Sequence, residues 1–234
     1  MPKKKKTNKK DIQKPCVFHS EDKDFDNEPY ENHYFSARPT DRIALISRPG
    51  HGKTSVIKNY LVHGGYQKIF IAAANSGTKE FELVDYTPID FEKIDADFFV
   101  DESEKINKGR MCLILEDLNF QDMTKKSRTV IYQVLQHVCT HNNMCVMATA
   151  HTWSQMNARV RRICSVFVLW PPSEDQLSYQ ARGLSMSKDE LRRAYSFCKG
   201  KYDFLVYEIM PPNTDNYSRT EWRLNGYIPI QILK

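Results

Sequence analysis

The 234-residue sequence predicts an α/β fold, a largely parallel sheet held between helical layers. Three observations carry that expectation. Short, wholly apolar runs such as Met111-Cys112-Leu113-Ile114-Leu115 have the pattern of strands covered on both faces. They alternate with stretches whose apolar residues recur at helical spacing. One run, Ile43-Ala44-Leu45-Ile46, leads directly into a Gly-rich turn and then a helix.

The chain opens on a charged segment. Residues 1–14 hold seven lysines and one aspartate, a local +6 against +5 for the whole chain, which leaves the remainder near −1. Such a tail buries too little apolar surface to fold, and disorder is expected there. Its run Pro2-Lys3-Lys4-Lys5-Lys6 has the form of a nuclear localisation signal, or of an arm drawn to phosphate backbones. The near-neutral remainder argues against a uniformly basic nucleic-acid binder. Residues 15–40 are polar, acidic and aromatic without clear period, an irregular lead-in, and 41–234 form one phosphate-loop domain. No apolar stretch approaches the roughly 20 residues of a membrane span, and no signal peptide is visible, so no membrane partner is expected. The six cysteines (16, 112, 139, 145, 164 and 198) contain no Cys-x-x-Cys pair and read as buried thiols in a reducing compartment.

In order, strands are expected at about 42–47, 68–73, 111–115, 144–149 and 164–170. Helices are expected at 55–63, stopped by Gly64-Gly65, then near 91–106, 125–139 and 187–199, the last with Ser187 as its cap. A C-terminal β-hairpin should pair Phe204–Ile209 with Thr220–Leu224 across a turn rich in Pro, Asn and Asp.

The Gly-rich turn carries the chemistry. In Ser47-Arg48-Pro49-Gly50-His51-Gly52-Lys53-Thr54, followed by Ser55, the order strand, turn, helix is that of a loop cradling a nucleoside triphosphate. Backbone N–H groups across Arg48, Pro49, Gly50, His51, Gly52, Lys53, Thr54 and Ser55 would surround the phosphates, apart from the proline. Lys53 would reach the β- and γ-phosphates, and the Thr54 hydroxyl would ligate Mg²⁺. Ser47 stands where the pattern has its first Gly. ATP and Mg²⁺ are the expected cofactors.

Glu116 and Asp117 follow the third strand without a gap, where side chains overhang a nucleotide crevice. By position Glu116 would serve the metal and Asp117 the attacking water, the reverse also being compatible with the sequence. A triphosphate would then sit where the first and third strands end side by side. The fourth strand ends in polar residues, of which His151, ahead of Thr149 and Gln155, is placed to contact the γ-phosphate or the water. Arg159, Arg161 and Arg162 lie just before the fifth strand, close to the nucleotide edge. They could supply an arginine finger to a neighbouring subunit, hold DNA phosphates, or face solvent. Lys125, Lys126 and Arg128 are candidates for a DNA-facing loop.

Taken together over about 40–210, this layout resembles the viral genome-packaging ATPases of the FtsK/HerA superfamily, in their poxvirus- and virophage-type branch. The resemblance rests on the phosphate loop, the paired carboxylates, and the stretch His141-Asn142-Asn143-Met144-Cys145-Val146-Met147 running into a strand. An apolar-Arg step before the next strand is matched by Val160-Arg161, or by Arg162. The sequence departs from the pattern at Ser47, at Thr140, where an Arg usually precedes the His, and at His151, where Gln is usual. The resemblance implies a RecA-like three-layer P-loop core in a pentameric or hexameric ring. It implies ATP-driven, sequence-independent movement of double-stranded DNA into a capsid, with a capsid or portal component as partner. It places the protein in the host nucleus or the virion. Rival readings are a helicase or helicase loader, and a capsid scaffold that binds nucleotide without turnover.

Overall fold

The computed structural model describes residues 37–38, 40–73, 81, 84–117, 119–209, 222–226 and 228–230. The tail at 1–14 and most of the lead-in lie outside these residues. The chain runs β1 (Arg42–Ile46), α1 (Lys53–His63), β2 (Lys68–Ala73), β3 (Thr87–Pro88), α2 (Asp97–Lys105) and β4 (Met111–Glu116). It continues through α3 (Lys125–Gln133), a π-helical segment (Val134–Val138), α4 (Cys139–His141), β5 (Met144–Ala150), α5 (Ala158–Ile163) and β6 (Val166–Leu169). Then follow α6 (Glu174–Gly183), α7 (Lys188–Tyr195), β7 (Leu205–Glu208), β8 (Trp222–Leu224) and β9 (Ile228–Ile230).

Among the described residues one sheet joins nine strands in the order β3-β2-β4-β5-β1-β6-β7-β8-β9. From β3 to β6 every pairing is parallel. The strands β7, β8 and β9 close that edge antiparallel, so the expected hairpin is a three-stranded meander. Strand β5 stands between β1 and β4, so the first and third expected strands do not end side by side. The register nevertheless aligns the three tips, Ile46 opposite Ala150 and Leu115 opposite Ala148.

The alternation of strand residues splits the core in two. Ala44, Ile46, Leu113, Leu115, Val146 and Ala148 face Phe99, Ile131, Leu135, Leu177 and Leu191 from the helices. Ile43, Leu45, Cys112, Ile114, Cys145 and Met147 face Val56, Ile57 and Tyr60 of α1 on the other side. Each fully buried aliphatic side chain contributes about 1.5–3 kcal/mol, so the central strands anchor everything they project.

Three local outcomes differ from expectation. The helix expected over 91–106 covers only α2. Upstream, Ile89 N–H pairs with Ile71 O (2.8 Å), and the Asp90 carboxylate accepts from Glu92 N–H (3.0 Å), so an edge pairing and an Asx turn take up that chain. Within the helix expected at 125–139, one turn widens to π. The Arg42 guanidinium donates to Leu135 O, a carbonyl of the widened turn, and to Thr140 Oγ1 at 2.6 Å. Helices α5 and α6 follow from short signals that the longer periodic stretches overshadow.

Candidate nucleotide-binding site

The phosphate loop leaves β1 at the carboxyl end of the parallel strands. Ser47 N–H still pairs with Ala150 O (3.1 Å), and its hydroxyl donates to Arg48 O (2.9 Å). The backbone there needs no left-handed turn, which is why Ser serves where Gly is usual. Gly50 (φ +73°) and Gly52 (φ +91°) do adopt left-handed backbone. Arg48, Pro49 and Gly50 are exposed, and His51 Nδ1 lies 3.0 Å from Pro49 O. Gly52 caps α1 without a side-chain hydrogen bond, and the helix has no acidic residue in its first turn. Its first N–H groups therefore present a positive end to an anion.

Lys53 is buried, only 9% exposed, with its ammonium at the strand tips. It donates to Ser47 O (3.0 Å) and to His151 Nδ1 (3.0 Å). Because the ammonium can only donate, Nδ1 accepts, which assigns the ring proton to Nε2. That Nε2 faces Asp117 Oδ2 at 3.3 Å. The Thr149 hydroxyl donates to Asp117 Oδ1 (2.9 Å) and accepts from Asp117 N–H (2.8 Å). Asp117 holds left-handed backbone at φ +46°. Lys53, His151, Asp117 and Thr149 thus form one line of polar contacts across the ends of β1, β5 and β4. Burial lowers the Lys53 pKa below its ordinary 10.5, and the charges of Asp117 and then Glu116 act against that shift.

Glu116, half-buried at the end of β4, lies on the same edge, as does the half-buried Thr54. Among the described residues no group of three His, Cys, Asp or Glu could hold a metal alone. Mg²⁺ bound to a triphosphate takes most of its six oxygen ligands from phosphate and water, so the oxygens of Thr54 and Glu116 would be of the right type to complete such a shell.

The arginines are placed differently from the sequence reading. Parallel β6 must start at the opposite edge of the sheet, so the chain descends through α5 until Ser165 N–H pairs with Arg42 O at 2.9 Å. The three arginines therefore lie on the way down from the nucleotide edge, not along it. Arg161 donates to Trp153 O and Met156 O and lies over the Trp153 ring at 5.1 Å. Arg159 lies 4.3 Å over Tyr132 and bonds Gln136. Arg162 is exposed. Gln155 closes its own turn by accepting from Thr152 N–H at 3.1 Å.

Two features escaped sequence reasoning. One is the role of Thr149, named from sequence as a phosphate or water contact, which holds Asp117; the other is Tyr202, whose Cδ1 lies 3.9 Å from where a Cβ on Gly52 would stand. The antiparallel β6–β7 pairing brings Tyr202 there, and no local motif signals it.

No protein-family model matches the chain, and no curated protein matches it. Among solved structures, the DNA-packaging ATPase B204 of Sulfolobus turreted icosahedral virus is similar, with 18% identity and a TM-score of 0.54. The match covers 83% of this chain and 100% of that one. The genome-packaging NTPase B204 of Sulfolobus turreted icosahedral virus 2, in complex with AMPPCP, matches at 16% identity and TM-score 0.53, over 82% of this chain and 100% of that one. The same protein in complex with AMP matches at 16% and 0.52, over 74% and 94%. The shared fold is the RecA-like P-loop three-layer architecture.

Proposed function

We propose that this chain is an ATP-driven motor that moves double-stranded viral DNA into a preformed capsid, hydrolysing ATP at sites completed between subunits of a ring. The observation that carries the reading is the line Lys53–His151–Asp117 across three aligned strand tips, beneath a glycine turn and a free helix N-terminus. The fold shared with genome-packaging NTPases, one of them in complex with an ATP analogue, supports the DNA-packaging part.

In this reading the loop N–H groups and Lys53 hold the triphosphate. Asp117, fixed by Thr149, orients the attacking water, and His151 contacts the γ-phosphate or that water. Mg²⁺, taken by Thr54 and by Glu116, would neutralise charge on the phosphate oxygens. Arg161 fastens the turn that follows β5, which leaves exposed Arg162 as the residue offered to a neighbouring subunit. Lys125, Lys126 and Arg128 start α3, where positive charge opposes the helix dipole, a cost of about 0.3–1 kcal/mol that a DNA-facing role would explain. Lys126 also donates to Glu92 O at 2.8 Å. The basic tail fits entry into a host nucleus, with the virion as final location.

The test is ATP turnover with and without double-stranded DNA, on material sized by light scattering. An oligomer with DNA-stimulated turnover is expected, and Lys53→Met should reduce turnover on the order of 10²–10³-fold while staying folded. Normal turnover by a folded Lys53→Met protein would overturn the assignment. Duplex unwinding would favour a helicase, and tight nucleotide binding without turnover a scaffold.

A further inference from the structure

We propose that Tyr202 is the platform on which the nucleobase stacks when a nucleotide occupies the phosphate loop. The inference rests on the nucleotide reading above and adds to it the part of the ligand that the loop itself does not contact. A phosphate cradle made of backbone N–H groups is blind to the base, which must find its surface outside the loop.

The segment Lys199–Phe204 supplies that surface. Because β7 runs antiparallel to β6, with Leu205 opposite Leu169, its first residue lies at the edge where β1, β4 and β5 end. Tyr202 sits there beside Gly52, 3.9 Å from the position of a Cβ on that residue, and is 49% exposed. An aromatic ring exposed to that extent beside a helix N-terminus offers open surface to a flat partner. The Lys201 ammonium lies 5.0 Å from the ring centroid, on one face.

The turn beneath the ring is held in shape. The Asp203 carboxylate accepts from Lys199 N–H (2.8 Å), Gly200 N–H (2.7 Å) and the Asn225 side chain (2.9 Å). Phe204 is buried against Trp170, ring centroids 5.0 Å apart, and its backbone N–H and carbonyl both pair with Asn225. Tyr202 alone of this turn's two aromatic side chains points to solvent. The ordering needed to present a stacking surface is therefore complete before a ligand arrives, which reduces the entropy lost on binding.

Stacking on one aromatic ring is worth roughly a ten-fold change in affinity or more, and it accepts any base because every base has a π-face. The site would therefore bind ATP and GTP alike through this contact. The experiment is calorimetric titration of the full-length protein, Tyr202→Ala, Tyr202→Phe and Lys53→Met with Mg·ATP and with Mg·tripolyphosphate, which has no base. Tyr202→Ala should weaken ATP on the order of ten-fold and leave tripolyphosphate unchanged, and Tyr202→Phe should bind both as the parent does. Unchanged ATP affinity in Tyr202→Ala, or equal loss of both ligands, would overturn the stacking proposal while loss of both in Lys53→Met keeps the phosphate site. Failure of the parent protein to bind either ligand would overturn both.

Discussion

Asp117 occupies left-handed backbone, which Asn and Asp tolerate better than most residues, and Thr149 closes on it from both N–H and carboxylate. Asp117→Asn keeps the backbone preference and the size while removing the charge. We expect its thermal stability to stay within about 1 kcal/mol of the parent and its ATP turnover to fall on the order of 10²-fold, measured by melting and steady-state assay. Lys53 shows the reverse trade. Its folded-state pKa lies below the unfolded 10.5, so the native state binds this proton more weakly than the unfolded chain does. The cost of burying the ammonium is complete below the folded pKa, and it is relieved as pH rises through that value towards 10.5. Calorimetric scans should find Lys53→Met more stable than the parent near neutral pH, with the difference shrinking in alkali. A difference independent of pH would mean that packing, not the buried charge, sets it.

Elements were legible in the sequence where a single cause dominated them. The central strands announce themselves as apolar runs, and Ser187 caps α7 by accepting from Glu190 N–H at 3.1 Å. The π segment was not legible, because the guanidinium that donates to its Leu135 O comes from a residue 93 positions away in sequence. Arg42→Met keeps the aliphatic stem and removes the guanidinium, leaving Leu135 O, Thr40 O and Thr140 Oγ1 without its hydrogen bonds. It should lower stability by about 1–3 kcal/mol, read by urea denaturation. An unchanged midpoint would show that the widened turn holds without the arginine. Helix α6 was missed for a related reason, since Leu177 and Ala181 are its buried apolar residues in an otherwise polar stretch after Pro171-Pro172. Its register is decided by the surface it lands on.

At the scale of the molecule, the sequence contained the parts of the candidate site but not the strand order that brings them together. Lys53, Glu116, Asp117 and His151 were each legible from a strand followed by a polar turn. That β5 separates β1 from β4, and so delivers His151 between Lys53 and Asp117, is a property of pairing partners that no local pattern encodes. The same limit applied to the arginines, whose height on the sheet follows from the direction of β6. Charge is the whole-molecule quantity the sequence states outright, with the entire positive excess at residues 1–14. If that tail is an arm for phosphate backbones, deleting it should reduce the slope of log affinity for duplex DNA against log salt by about 5. Filter binding over a salt series measures this, and an unchanged slope would show that the tail is not such an arm.

An ammonium has three protons, and in Lys53 two are already committed, to Ser47 O and to the His151 ring. An incoming phosphate that needs more than the remaining one must displace the Ser47 carbonyl or the imidazole. Where it displaces the imidazole, filling the pocket also frees that ring. The histidine's own nuclear resonance would register a filled or empty cradle with no label attached to the nucleotide.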